Sequence, residues 1–127
     1  MQHLLIGAIF FMMAVSGKDC NEKKQTDPVV YKARLEIRAM CMNYTVKLLE
    51  GKMDNSRIAA SWTDDMTKKT YTNVFGLEHP CNFPDSIKQG DEFYFVIDTA
   101  TEKKRCMVCL VYYPVPEKKL AIRVVNK

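Results

Sequence analysis

Histidine is almost missing from this chain of 127 residues, in which His3 and His79 are the whole supply. Removal of the amino-terminal stretch on export would leave His79 alone, which excludes a Ser-His-Asp triad and any metal site built from several imidazoles. A Cys-His pair is then the one nucleophilic arrangement left. His79 and Cys81 sit in a loop with two prolines, and no third group is identifiable to orient them. Long hydrophobic runs are missing too. The uncharged stretch from Leu4 to Val15 has 12 residues, well short of the roughly 20 that a bilayer span needs. No repeat, low-complexity tract or internal linker divides the chain. Charge of one sign is also scarce: 19 Lys and Arg against 15 Asp and Glu leave +4, far below the surplus of a dedicated nucleic-acid binder.

What is present first is a leader. LLIGAIFFMMAV has the length of a signal-peptide h-region, and Ala14, Ser16 and Gly17 are the small residues a processing site requires. The n-region is weak, with only the amino terminus and His3 to supply positive charge. The expected products are a signal peptide, residues 1–17, and one exported domain, residues 18–127, which begins Lys18-Asp19-Cys20. About 110 residues form one domain and not two. All five cysteines, Cys20, Cys41, Cys81, Cys106 and Cys109, lie in that domain. An oxidising route pairs them into two bridges and leaves one over, as an intermolecular bridge, a reactive thiol or, most often, a buried one. Asn43-Tyr44-Thr45 is an N-glycosylation acceptor, permissive in this compartment.

Periodicity supplies the architecture. Val29, Tyr31, Ala33, Leu35, Ile37 and Ala39 alternate with Val30, Lys32, Arg34, Glu36 and Arg38, the period of two of a half-buried antiparallel strand. Tyr44, Val46 and Leu48 continue it in a second strand that ends at Glu50-Gly51, with Cys41 to Asn43 in the connection. Lys52 to Arg57 reads as a turn, Arg57 to Trp62 as a third strand and Thr70 to Phe75 as a fourth. His79 to Asp85 carries Pro80 and Pro84 and belongs to no central strand. A turn at Lys88-Gln89-Gly90-Asp91 launches Glu92 to Asp98, with Phe93, Phe95 and Ile97 on one face. Thr99 to Arg105 is predicted as a polar hairpin tip, Cys106 to Tyr113 as a buried strand stopped by Pro114-Val115-Pro116. Leu120, Ile122 and Val124 then alternate as a last strand, although EKKLAIRVV also fits two helical turns. Many short strands between turn signals predict an all-β fold, a small antiparallel barrel or sandwich.

The remaining polar features have ordinary explanations. Cys106-Met107-Val108-Cys109 has redox spacing but falls on a predicted strand, where no helix N-terminus lowers a thiol pKa and residues three apart face opposite sides. Paired cysteine spacing recurs nowhere else, so no zinc site and no cofactor is expected. Asp64, Asp65 and Glu117 are carboxylates on turns without a partner for acid–base work. Lys103, Lys104 and Arg105, with Lys23-Lys24, Lys68-Lys69 and Lys118-Lys119, are candidates for a heparin-like glycan patch. Lysine pairs on turns more commonly solvate loops and protect strand edges.

The order of elements resembles the netrin-like module, the OB-like β-barrel of tissue inhibitors of metalloproteinases and of the C-terminal domains of complement components three, four and five. Cys20 followed by Val29-Val30-Tyr31-Lys32-Ala33-Arg34-Leu35 resembles the first strand of the complement version. Tyr44-Thr45-Val46-Lys47-Leu48-Leu49-Glu50 before Gly51 is similar to the second. Cys81 with Gly90-Asp91-Glu92-Phe93-Tyr94-Phe95-Val96 looks like the family's cysteine, glycine turn and aromatic strand. Cys109 ahead of Tyr113-Pro114-Val115-Pro116 resembles the cysteine strand that in the inhibitors ends in Val-Pro-Trp, with Glu117 in place of the Trp.

That resemblance implies an OB-like β-barrel stapled by disulfides, with Cys20 bonded to Cys81 or Cys109 and Cys41 lacking a family counterpart. In the inhibitor branch an N-terminal cysteine chelates the protease zinc through its α-amino group and carbonyl. This needs Cys20 as residue one, because a preceding residue turns the amine into an amide. The expectation is a secreted, extracellular, non-enzymatic module that binds another protein through its loops and amino-terminal arm. Two alternatives stand beside it: inhibition of an extracellular metalloproteinase through Cys20, and a basic glycan-binding or host-defence factor acting through Lys103, Lys104 and Arg105.

Overall fold

The computed structural model describes residues 28–100, 106 and 112–127. The strands are β1 (Tyr31–Ala39), β2 (Asn43–Glu50), β3 (Ala59–Thr63), β4 (Thr70–Leu77), β5 (Glu92–Ile97), β6 (Lys119–Leu120) and β7 (Ile122–Val125). Two short 3-10 turns, Met40–Met42 and Pro80–Asn82, are the helical elements among the described residues. The tail is strand, as its alternation suggests, and the loop with two prolines contributes none.

The strands form one sheet in the order β3-β4-β2-β1-β5-β7, antiparallel throughout that path, with β6 added to β4 in parallel. Two register shifts in the β1–β2 ladder, between Lys32 and Ala33 and between Leu35 and Ile37, mark bulges. Bulges sharpen twist and bend a strand, and here they curl the sheet around its apolar face. Tyr31, Ala33 and Leu35 from β1, Tyr44, Val46 and Leu48 from β2, Phe75 and Leu77 from β4 and Phe93 and Phe95 from β5 are buried on that face. Tyr31 stacks on Phe95 with centroids 5.2 Å apart, and Phe75 meets Phe95 at 5.7 Å. Each such ring contributes about 1.5–3 kcal/mol when fully buried.

Among the described residues the expected barrel does not close. β3 already occupies the outer edge of β4 from Thr70 to Val74, so only Gly76 and Leu77 remain for β6. Beyond Ala121 the chain leaves β4 and β7 pairs with β5 instead. The last strand region therefore pairs with β4 near one end of the sheet and with β5 near the other, without a continuous ladder. Gly76 is what lets it approach: a Cβ there would lie 3.3 Å from the Pro116 carbonyl oxygen and 3.2 Å from Lys119 Cγ.

The Pro-rich loop plugs one end of the core. Phe83 is buried against Tyr44 and Phe93, each at 5.3 Å between centroids. Arg38 at the end of β1 fastens the segment behind it, donating to the carbonyl oxygens of Asp85, at 3.2 Å, and Ile87. The Arg38 backbone N–H donates to Gln89 Oε1 at 2.9 Å.

Candidate functional site

The residues singled out from the sequence are dispersed. Cys20, Cys109, Lys103, Lys104 and Arg105 lie outside the described residues, as does most of the strand expected from Cys106 to Tyr113. Cys81 and Cys106 form a disulfide with Cα atoms 5.7 Å apart, inside the range a bridge requires. The pairing replaces the Cys20–Cys81 alternative, which required Cys81 to be available. It also occupies one half of the Cys106-Met107-Val108-Cys109 motif. Cys41 is disulfide-bonded as well. It stands in the β1–β2 turn, where Cys41 and Met42 both take left-handed backbone, with φ of 61° and 60°. Asn43 is the first residue of β2, not part of the connection, and its side-chain amide donates to the Met40 carbonyl oxygen at 3.0 Å.

His79 sits half-buried at the start of the Pro80–Asn82 turn. Among the described residues no group of three or more His, Cys, Asp or Glu is placed to hold a metal ion. The lysine pairs have local engagements: Lys69 Nζ stands 5.2 Å from the Tyr71 ring centroid, and Lys118 Nζ donates to the Asn55 carbonyl oxygen.

The feature that sequence reasoning passed over is the outer edge of β3. Its described ladder is with β4, through Ala59, Ser61, Trp62 and Thr63. Beside it runs residues 112–118, which enters β6, and between the two lies a groove of about 540 Å³ lined by β3, Asp65, Tyr112, Pro114, Val115, Glu117 and Lys118. Buried Pro116 and Pro114 hold that wall down. Prolines cannot extend the β4 ladder, which explains why the segment stands off from β3. Tyr112, 80% exposed, and half-buried Trp62 give the groove its aromatic surface.

Cross-strand contacts tie β3 to β4. Trp62 and Tyr71 pair across β3 and β4 with centroids 5.8 Å apart, and Thr63 and Thr70 share a hydrogen bond of 2.9 Å between hydroxyls. The turn beyond them is built on Asp64, 1% exposed, whose Oδ1 accepts the Met66 N–H at 2.8 Å and the Thr67 N–H at 3.4 Å. An Asx turn of this kind satisfies the buried carboxylate and explains TDDMTKK as a hairpin tip and not an acid–base site. Desolvation raises the Tyr71 pKa above its ordinary value, and the charges of Asp64 and Glu36 push it the same way. A single Trp on a short strand, followed downstream by two prolines flanking Val115, was the available signal.

An edge strand beside an aromatic-lined groove can receive an extended segment by main-chain hydrogen bonds, with pockets reading alternate side chains. Comparisons with protein-family models, curated proteins and solved structures find no match to this chain.

Proposed function

We propose that the chain is a secreted, non-enzymatic, protein-binding module of netrin-like type, and that its binding surface is the groove along β3. The observation that carries this reading is the unpaired outer edge of β3, among the described residues, set against exposed Tyr112 and half-buried Trp62. Aromatic residues anchor protein interfaces because they bury large area at low entropic cost. Supporting export are the 12-residue apolar leader and the cysteines, two of which pair as Cys81–Cys106. No described helix is long and apolar enough to cross a membrane. The mostly antiparallel sheet fits the all-β class that the netrin-like reading requires, and the open ladder among the described residues is a departure from that family's barrel. The inhibitor form of the reading turns on Cys20 and on which residue begins the mature chain.

A photo-crosslinking residue placed at Tyr112 in the secreted protein, incubated with extracellular fluid, tests the surface. The expected result is a discrete adduct that the additional change Trp62→Ala removes, and that the same probe at Tyr94 on β5 does not form. Equal adducts from Tyr112 and Tyr94, or none from Tyr112, overturn the assignment.

A further inference from the structure

Thr45 occupies the centre of the sheet, paired with Ile37 of β1 and Gly76 of β4. It is 0% exposed, and its hydroxyl has no hydrogen-bond partner among the described residues. A buried hydroxyl without a partner is a destabilising group. Valine has the same branched shape, suits a strand equally well and carries no such penalty. The hydroxyl therefore costs the folded state stability that valine at the same place would not.

Two residues upstream is Asn43, at the surface, with its amide lying over the β1–β2 turn against the Met40 carbonyl oxygen. Met40 itself is 65% exposed. Asn43 and Thr45 are the two essential positions of the acceptor Asn43-Tyr44-Thr45. Folding gives them opposite fates, one at the surface and one sealed between two neighbouring strands.

We infer that Asn43 is N-glycosylated, and that the sugar is attached during export, before β2 pairs with β1 and β4. In the transfer, Asn43 Nδ2 bonds to the anomeric carbon of a lipid-pyrophosphate-linked oligosaccharide. The glycosyl C–O bond breaks with its electron pair leaving on the lipid pyrophosphate, and one amide proton passes to base. Only the extended chain offers the Thr45 hydroxyl to the transferase, so the folded protein is not a substrate. The finished glycan stands on the β1–β2 turn beside Cys41 and shields exposed Met40.

The inference rests on the export reading, and the test separates the two. The full chain is translated with and without microsomal membranes. Protease protection reports import, and a mass decrease on peptide N-glycosidase treatment reports the glycan. Import with a glycan on the wild type and on Thr45→Ser, and none on Asn43→Gln or Thr45→Val, is the expected result. Import without a glycan overturns this inference alone; failure of import overturns the export reading and this inference with it. Folded, disulfide-bonded, unglycosylated protein presented to permeabilised membranes should remain unmodified, while the reduced, unfolded chain is modified. Equal modification of both refutes the proposed order. A second readout needs no sugar: Thr45→Val should melt above the wild type when both are made unglycosylated, by about 5 °C, and a lower midpoint refutes the assignment of the hydroxyl to the unfolded chain.

Discussion

Replacing Gly51 by alanine strikes the junction between the sheet and its aromatic core. Gly51 follows the last residue of β2 with φ at +112°, a conformation that side chains other than hydrogen rarely adopt. An added Cβ would also collide with the Tyr31 ring, which is buried and stacked on Phe95 at 5.2 Å. The backbone contribution is about 1–3 kcal/mol, and displacing a packed ring adds about 1–3 kcal/mol. A total loss of about 2–6 kcal/mol is a large share of the stability of a domain this size. Urea unfolding should show the midpoint falling with the slope unchanged, and the thermal midpoint should fall by roughly 10–40 °C. Combining the change with Tyr31→Ala separates the two parts. Without the ring the alanine should cost only the backbone part, a coupling of about 1–3 kcal/mol. A loss below about 1 kcal/mol for Gly51→Ala, or no coupling to Tyr31, refutes the reasoning.

Asp64→Ala removes the acceptor of the Met66 and Thr67 N–H groups and should lower stability by about 1–3 kcal/mol in urea unfolding, with Asp64→Asn retaining most of it. Tyr71, whose pKa is raised in the folded state by burial first and then by Asp64 and Glu36, binds its proton more tightly folded than unfolded. Its contribution is complete below the ordinary phenol range and is lost as pH rises through the raised value. Wild-type stability should therefore fall relative to Tyr71→Phe in alkaline unfolding series, and parallel curves would contradict the shift. Peptide mapping of the unreduced protein should find Cys81 joined to Cys106 and Cys41 in a separate bridge; a Cys20–Cys81 peptide would overturn the pairing. The same spectra identify the first residue: Lys18 there rules out zinc chelation by the Cys20 amine, and Cys20 there makes protease inhibition the leading form of the function.

The strands were legible because their signal is local. A period of two marks β1 from Tyr31 onward, and Phe93 and Phe95 fall on the core face as their spacing requires. The boundaries moved where backbone conformation intervened. Cys41 and Met42 turn the chain in left-handed conformation without glycine, so nothing in the residue types announced how short the β1–β2 connection is. TDDMTKK showed its carboxylates but not that Asp64 folds back on the turn, because an Asx turn is a matter of which N–H groups come within reach.

By itself the sequence determined an all-β chain with an uncharged apolar stretch near its amino terminus, five cysteines and one histidine beyond that stretch, since composition and alternation depend only on neighbours along the chain. Only the tertiary structure decided which edges stay open among the described residues. β3 takes most of the outer edge of β4 and leaves β6 two residues, so the sheet curls without closing and a groove remains beside Trp62 and Tyr112. Tertiary pairing likewise placed Thr45 in the middle of the sheet while Asn43 stayed at its surface. Both outcomes come from competition among segments distant in sequence for the same hydrogen-bonding edges, which no local pattern encodes.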